Sequence, residues 1–320
     1  MTSALLDRPE ITQEPWAKVI ADSISPEGAR VTTMECQFHR FVLAEFNTHR
    51  MFSRNSASSR AIPVEKQLAK VIANPAWPIV WAAEKPGMQG GNALTGTDFD
   101  MAEELLSDIW AYSVSRIETY LQDVPEKEHR LHKSLINRVL EPFMWHRVIV
   151  TSAEWENFFH QRCHKDAQPE IRAVAEKMQL AYEKSTPKPV GLSQFHLPYI
   201  DNTDWEWARE YVPNHYVTER DGIEGLGLVT SLLCMISTAR CARVSYLTHD
   251  GVRDQIEDVK MYRKLVSGEI MHASPLEHIC TPANVYASDP LESGSFGNLE
   301  GFVQLRHIVE RQMRTGVVYG

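Results

Sequence analysis

Two short apolar stretches near the start of the chain alternate with polar residues and predict β-strands, at residues 18–21 and 30–36. Between them, residues 25–28 read Ser-Pro-Glu-Gly, a combination that favours a turn, so we expect the two strands to be joined there. At residues 41–47 the apolar positions recur with helical spacing and leave a polar edge, which predicts a short helix.

Longer stretches with helical spacing dominate the rest of the chain. We expect helices at 99–121, 127–140, 153–164, 167–185, 226–244 and 255–267. Asp98 and Asp166 are the expected N-caps of the first and the fourth of these helices. Two late strands are expected at 283–287 and 301–305. The fold class is therefore α+β, rich in helix, with a mixed or antiparallel sheet.

Two segments interrupt this pattern. Residues 74–97 are rich in proline and glycine, but we expect an ordered loop because Trp77 and Trp81 need burial. Residues 186–225 contain four prolines and many aromatic residues, and they predict an irregular connection. The expected organisation is a first portion at 1–185, this connection, and a portion at 226–320 that packs with the first into one domain.

Composition narrows the class of protein. The chain has 320 residues, 43% of them apolar and 23% charged, as in ordinary globular proteins, and lacks an apolar run of about eighteen residues. Its net charge of -9 argues against a general affinity for nucleic acid. The N-terminus lacks the pattern of a secretion signal. The five cysteines show no tight pairing, so we expect a cytoplasmic protein that does not associate with membranes.

The densest polar cluster lies at residues 47–60. It holds three arginines, one histidine, four serines and two asparagines, and no acid occurs between Glu45 and Glu65. Cations mixed only with hydroxyl and amide groups are suited to receive an anion such as phosphate, which the planar fork of arginine grips in pairs. On composition alone, a basic surface loop that pairs with acids elsewhere is an equal alternative.

The spacing within this cluster is specific. The pattern His49-Arg50-x-x-Ser53-x-Asn55-x-x-Ser58-x-Arg60 resembles the signature of flavin-dependent thymidylate synthases, Arg-His-Arg-x-x-Ser-x-Asn-x-x-Ser-x-Arg. A second block is similar to another stretch of that family: Arg138-Val139-Leu140-Glu141-Pro142, Val148-Ile149-Val150-Thr151, Trp155, Asn157-Phe158-Phe159, Arg162 and Asp166-Ala167-Gln168-Pro169-Glu170-Ile171-Arg172. A third comprises Ala242-Arg243-Val244-Ser245-Tyr246 and Ala273-Ser274-Pro275-Leu276-Glu277-His278. In the family the third block precedes the signature, so the order here is permuted.

The resemblance implies a reaction and a set of ligands. The family makes thymidylate from deoxyuridine monophosphate (dUMP), with a one-carbon unit from methylenetetrahydrofolate and electrons from NADPH through flavin adenine dinucleotide (FAD). Its members are homotetramers with shared active sites. No metal is expected.

The resemblance also implies roles for individual residues. Arg162, which would polarise the pyrimidine ring, and Ser58 are the expected catalytic residues. The nucleotide site would comprise Ser58, Arg60, Arg138, Arg162, Glu45 and Ser56. The FAD site would comprise His49, Arg50, Asn55, Asn157, Ser245 and His278. A fixed guanidinium suits the ring chemistry because it stabilises charge on a carbonyl without being consumed.

Three positions depart from the signature and keep alternatives open. Thr48 replaces the first arginine of the family triplet, Glu45 stands where glutamine is usual, and Ser56 where glutamate is usual. A carboxylate at Glu45 suits the amino group of cytosine, so an enzyme directed at dCMP is one alternative. A related hydroxymethylase is another. A nucleotide-binding protein that has lost its flavin is the alternative outside enzymes, because Thr48 removes a cation from the cofactor side.

Overall fold

The computed structural model describes residues 14–215, 222–223, 226–246, 253–268, 270–284, 286–289, 293–294 and 297–315. The strands are β1 (Trp16–Ile24), β2 (Arg30–His39), β3 (Ser53–Ser56), β4 (Trp145–Ser152), β5 (Lys188–Pro189), β6 (Cys280–Pro282) and β7 (Phe302–Gln304). The helices are α1 (Leu43–Asn47), α2 (Val64–Ala73), α3 (Gly96–Asp123), α4 (Lys133–Val139), α5 (Glu156–Arg162), α6 (Pro169–Lys184), α7 (Asn202–Asn214), α8 (Leu228–Arg243), α9 (Gln255–Val266) and α10 (Leu305–Thr315).

The centre of the fold is a sheet of the order β3-β4-β2-β1-β5. Strands β1 and β2 form the predicted antiparallel hairpin, and the turn uses Gly28 at a φ of 87°, a conformation that glycine adopts without strain. Strand β4 pairs antiparallel with β2 on one side and with β3 on the other, and β1 pairs with β5 in parallel. The sheet is therefore mixed, and the predicted α+β class is confirmed.

Alternation along the strands gives the sheet two different faces. Met34, Cys36, Val148 and Val150 lie in one core cluster with residues of α5 and α6. Ile149 lies in the cluster of the opposite face, with residues of α8. That second face also carries buried polar side chains, among them Glu35 and Thr151. The site described below uses this polar face.

A third core cluster supports the end of β4. It joins α2, α3 and α4, and its largest members are Trp77 and Trp110, whose rings meet edge to face at 6.0 Å. Residues 74–97 are thus an ordered loop, as predicted, with Trp77 buried and Trp81 packed against the same cluster.

Several predicted boundaries were wrong. The cap of α3 is Thr95 rather than Asp98, and the cap of α6 is Gln168 rather than Asp166. The helix predicted at 127–140 is a short 3-10 turn followed by the separate helix α4. The strand predicted at 283–287, of which residue 285 lies outside the described residues, forms just before that range, as β6.

Other elements were missed. Strands β3 and β4 were not predicted as strands, although β4 lies at the centre of the second sequence block. The supposedly irregular stretch 186–225 contains α7, which begins at a capping box in which Asp201 and Asp204 each bond the other's backbone N–H. That box is a sequence signal for a helix start, here in its aspartate form.

A buried ionic network joins three helices of the second half. Arg240 on α8 donates to Asp204 on α7 at 2.6 Å and to Asp258 on α9 at 2.9 Å. Both carboxylates are fully buried, so each depends on its arginine partners to balance the loss of water. The segment Leu228–Tyr246 is long and apolar enough to cross a membrane, but 72% of its most apolar window is buried inside the protein, as befits a core helix.

Replacement of Arg240 by methionine tests this network. Arg240→Met keeps most of the side-chain volume and leaves two buried carboxylates short of a partner, so the free energy of unfolding should fall by about 3–5 kcal/mol. Chemical denaturation monitored by circular dichroism measures the change. Arg172→Met, which removes an exposed pair with Glu176, should change little. Equal effects of the two substitutions would show that the network does not stabilise the fold.

Candidate functional site

The arginine signature begins in a helix and ends at the edge of the sheet. Helix α1 leads into Thr48 and His49, after which Ser53–Ser56 forms the edge strand β3. Strand β3 is held by β4 in a register that places Ser53 opposite Thr151 and Asn55 opposite Ile149. Alternate side chains of β3 therefore point to opposite faces, Ser53 and Asn55 to the polar face and Arg54 and Ser56 to the other.

Arg162, at the end of α5, is bound to the start of the signature. Its Nε donates to Nε2 of His49 at 2.9 Å, and its Nη2 donates to Oγ1 of Thr48 at 3.1 Å and to the carbonyl of Glu45 at 3.3 Å. Thr48 in turn donates its hydroxyl proton to the Glu45 carbonyl at 2.6 Å. The second sequence block thus meets the first through its predicted catalytic arginine.

This contact determines the protonation of His49. Arginine only donates hydrogen bonds, so Nε2 of His49 must accept and the proton of the neutral ring lies on Nδ1. Burial among Phe52 and Phe158, together with the nearby charges of Arg162 and Arg54, lowers the pKa of His49 to about 4. At neutral pH the imidazole is therefore an uncharged donor at Nδ1.

Asn55 joins the signature to the third sequence block. Its side-chain nitrogen donates to the carbonyl of Cys241 at 3.0 Å, and its oxygen accepts from the hydroxyl of Ser274 at 2.9 Å. Nearby, the backbone N–H of Ser58 donates to the carbonyl of Ser245 at 3.1 Å. Blocks that are almost 200 residues apart in the sequence therefore meet along one strand.

The end of the signature is fastened to α4. The buried side chain of Asn137 donates to the carbonyls of Ser59 and Ile62, at 2.9 and 3.0 Å. Its neighbour Arg138 is exposed, as is Arg60, and Arg138 lies 3.9 Å from a carboxylate oxygen of Glu141. Arg60 and Arg138, both predicted to bind the nucleotide, are thus carried by segments that Asn137 holds together.

The remaining predicted residues differ in exposure. Arg50 and Asn157 are exposed, and Ser56, Ser58, Ser245 and Glu45 are half-buried. Asn157 lines an open depression of about 910 Å³ that also includes Trp155 and Phe159. One carboxylate oxygen of Glu45, Oε2, is buried without a hydrogen-bond partner among the described residues.

His278 is placed differently from the others. It is fully buried behind β4, where its Nδ1 lies 2.8 Å from the hydroxyl of Thr151. Its Nε2 has no hydrogen-bond partner in the described part of the chain. Asn55 is thus engaged inside the protein, and His49 and His278 are buried, whereas Arg50, Asn157 and Ser245 are at least partly exposed.

Two groups of residues that help to build the candidate site were not predicted from the sequence. Asn137 shows only a weak signal, a polar residue next to Ile136 on the buried side of its helix. Phe52 and Phe158, which enclose the ring of His49, look like ordinary core residues in the sequence because their role depends on a contact across more than a hundred residues.

The Arg162–His49 contact makes a testable prediction. Arg162→Gln removes one of the charges that disfavour protonation, so the pKa of His49 should rise from about 4 part of the way to its usual value of 6.5. NMR titration of the labelled histidine ring measures it. Because the pKa of folded His49 lies below that of the unfolded chain, its contribution to stability is present above pH 6.5 and is lost as the pH falls towards 4.

The variant should therefore lose less stability than the wild type between pH 6.5 and pH 4. Arg172→Gln, on an exposed turn of α6 away from His49, is the matched control and should leave the titration unchanged. A pKa that stays near 4 in Arg162→Gln would show that the charge of Arg162 does not contribute to the shift.

A family model described as thymidylate synthase complementing protein, Thy1, matches residues 25–188, slightly more than half of the chain. No curated protein matches.

The chain resembles solved structures only weakly, as two examples show. PolB, a UMP/dUMP methylase from Streptomyces cacaoi bound with 5-Br UMP, is 17% identical with a TM-score of 0.44, over 55% of this chain and 92% of that one. Thymidylate Synthase X (ThyX) from Helicobacter pylori, with FAD and dUMP, is 19% identical with a TM-score of 0.29, over 48% of this chain and 67% of that one. These likenesses are too weak to bear on the chemistry of this chain.

The matched range contains the arginine signature and the whole second block, whereas Ser245 and His278 lie beyond it. Since the match spans more than half of the chain and includes the residues that meet at β3 and α5, the chain belongs to the thymidylate synthase complementing protein family, the flavin-dependent thymidylate synthases that its signature resembles.

Proposed function

We propose that this protein is a flavin-dependent methyltransferase, a thymidylate synthase that transfers a one-carbon unit from methylenetetrahydrofolate to carbon 5 of dUMP. NADPH is the proposed source of electrons and FAD the proposed cofactor. A cytoplasmic homotetramer with active sites shared between subunits is the proposed working form.

One observation carries this proposal. The three sequence blocks occur in a permuted order, yet they meet at one strand. The side chain of Asn55 bonds to Ser274 of the third block and to Cys241, directly before that block, and the backbone N–H of Ser58 bonds to the carbonyl of Ser245. Arg162 of the second block bonds to His49. A protein that had kept only the ability to bind phosphate would not need all three sequence blocks to meet at β3. Membership of the family supports a nucleotide-modifying enzyme in general, and the assembled blocks support the specific reaction.

Arg162 has the geometry that the ring chemistry needs. Its Nε and Nη2 are held by His49, Thr48 and the Glu45 carbonyl, while Nη1 forms no hydrogen bond to a described residue. A guanidinium held on one edge presents the other edge in a fixed direction. In the proposed reaction that edge stabilises the negative charge on a uracil carbonyl while carbon 5 acts as the nucleophile.

The proposed phosphate-binding site lies at the other end of the signature. Arg60 and Arg138 are exposed, and Asn137 holds the segments that carry them. Arginine binds phosphate oxygens in pairs, and two arginines suit the two charges of a nucleoside monophosphate. Ser58 and Ser56, both half-buried on the same segment, add hydroxyl groups that can bind the sugar or phosphate.

The residues of the flavin side fit a bound FAD in part. His49 offers an uncharged N–H at Nδ1, Arg50 offers an exposed cation, and Asn157 and Ser245 offer an amide and a hydroxyl at accessible positions. When bound, FAD supplies the hydride chemistry, so the protein itself needs no nucleophile. Asn55 and His278 support this side from within. Thr48, in the position of the missing arginine, holds Arg162 instead.

Spectroscopy and product analysis test the proposal. We expect the purified protein to bind FAD, to show a flavin absorbance that NADPH bleaches, and to convert dUMP into a product in which a methyl group replaces one hydrogen. Arg162→Lys keeps the charge but loses the planar fork, so turnover should fall about 10²-fold or more. Arg172→Lys is the matched control on the exposed face of α6.

Each alternative outcome has a definite meaning. Protein that stays colourless with added FAD but binds dUMP would contradict the enzyme and support a nucleotide-binding protein. A product heavier by a hydroxymethyl group would replace the methyltransferase by a hydroxymethylase.

A second candidate, an enzyme directed at dCMP, is favoured by Glu45. The unpartnered oxygen Oε2 of this carboxylate is an acceptor, and Arg162 is bound to the carbonyl of the same residue. Cytosine presents an amino group as a donor where uracil presents a carbonyl acceptor. A carboxylate therefore suits cytosine, whereas glutamine can turn a donor towards uracil.

Substitution of Glu45 separates the two substrates. If the site is directed at dCMP, Glu45→Gln should lower turnover of dCMP relative to dUMP by about tenfold or more, because an uncharged amide accepts from the cytosine amino group more weakly than a carboxylate and can turn its N–H towards uracil. Competition between the two nucleotides, followed by mass spectrometry, measures the ratio. Wild-type protein that converts dUMP and leaves dCMP untouched would exclude this candidate.

A further inference from the structure

A continuous row of hydrogen-bonded side chains crosses the sheet beneath the site. Ser23 Oγ lies 2.8 Å from His196 Nδ1, and His196 Nε2 lies 2.7 Å from Thr33 Oγ1. Thr33 Oγ1 lies 2.6 Å from Thr151 Oγ1, and Thr151 Oγ1 lies 2.8 Å from His278 Nδ1. All five side chains are buried, with exposed fractions between 0% and 5%. Hydroxyl groups and imidazole rings thus form four bonds in series.

The proton count allows only two complete arrangements of this row. Each hydroxyl has one proton, and each neutral imidazole has one N–H. If Thr33 donates to Thr151, then Thr151 donates to His278, His196 donates from Nε2 to Thr33, and Ser23 donates to His196. If Thr33 donates to His196 instead, every bond reverses. The first arrangement leaves a proton on Nε2 of His278, and the second leaves that atom bare.

The two histidines are suited to such a reversal. Burial lowers the pKa of His196 to about 4 and the pKa of His278 to about 3, so both rings are neutral at physiological pH. A neutral imidazole accepts at one nitrogen and donates at the other, so a proton can enter one side while another leaves the opposite side.

The two ends of the row differ. Ser23 lines an open groove of about 430 Å³ between β1, β5 and the start of α7. At the other end, Nε2 of His278 is buried without a partner among the described residues. A buried polar atom without a partner is costly, and such an atom at the end of a complete network is a place where a ligand group can bind.

We propose that Ser23, His196, Thr33, Thr151 and His278 form a proton relay that carries protons between the groove and a ligand bound at Nε2 of His278. In the forward direction Nε2 gives its proton to a basic heteroatom of the ligand, a ring nitrogen or a carbonyl oxygen. Each bond of the row then passes one proton towards His278, and Ser23 takes one from water. No charge stays in the core, and each transfer forms one bond to hydrogen and breaks another.

The relay ends in its second arrangement, with Nε2 bare and able to accept a proton. It therefore suits a ligand that takes up a proton in one step and returns it in a later one, which restores the first arrangement. This role of the relay in a reaction rests on the proposed function, in which cofactor and substrate exchange protons and hydride. The existence of the hydrogen-bonded row rests on the four distances alone.

Exchange of the buried ring proton of His278 with deuterium tests the relay without any ligand. In protein labelled with nitrogen-15 at histidine, the relay gives this proton a route to solvent. Thr33→Val and Thr151→Val keep side-chain shape and remove one hydroxyl each. The rate of deuterium exchange at the His278 ring should fall by about tenfold or more. This is less than the roughly 10²–10⁴-fold that positioned proton transfer contributes to reaction rates.

Controls separate this effect from a structural one. Thr238→Val removes another buried threonine hydroxyl, which bonds within α8, and should leave the exchange rate at His278 unchanged. A purely structural loss would loosen the core and speed exchange, so unchanged or faster exchange in both Thr33→Val and Thr151→Val would overturn the relay. Slower exchange in a chain that binds no FAD would contradict the proposed function and leave the relay standing.

Discussion

The register of β4 is the constraint on which the rest of the structure depends. This strand pairs with β2 on one side and with the signature strand β3 on the other. Because side chains alternate along a strand, a slip by one residue would move Thr151 and Ile149 to the face covered by α5 and α6. It would also turn Asn55 away from α8. The hydrogen-bonded row from Ser23 to His278, the contacts of Asn55 and the core packing therefore all require the same register of β4.

Several buried charged and amide side chains in this protein have partners that satisfy them. Arg240 meets two carboxylates, Glu35 meets Arg147 and Lys18, and Asn55 uses both ends of its amide. Other buried side chains among the described residues keep a polar atom without a partner, and Glu45 and His278 are two of those beside the assembled blocks. A polar atom that lacks a partner and is held in place by rigid elements can bind a group of a ligand.

Thr48, in place of the first arginine of the signature, takes part in holding Arg162. Threonine offers an oxygen instead, which accepts from Arg162 while its proton goes to the Glu45 carbonyl. Arg162 is then fixed against His49 in the same chain, and His49 becomes a neutral donor.

The sequence by itself determined the local features of this protein. The hairpin of β1 and β2, the buried helix α8 and the amphipathic helix α9 follow from short-range pattern, and the spacing of the signature sufficed to identify the family. Short elements were missed, because β3 has four residues and its strand form depends on pairing with β4 almost a hundred residues away. The helix α7 was hidden by the prolines around it.

Only the tertiary structure decided which residues meet. The contacts of Arg162 with His49, of Asn55 with Cys241 and Ser274, and of His196 with Thr33 join residues far apart in the sequence. Nothing in the sequence around His196 distinguishes it from a surface histidine. Its role comes from burial and from two hydroxyl partners on neighbouring strands. Local propensity acts over a few residues, whereas a site and a proton path are properties of packing, which sequence order does not encode directly.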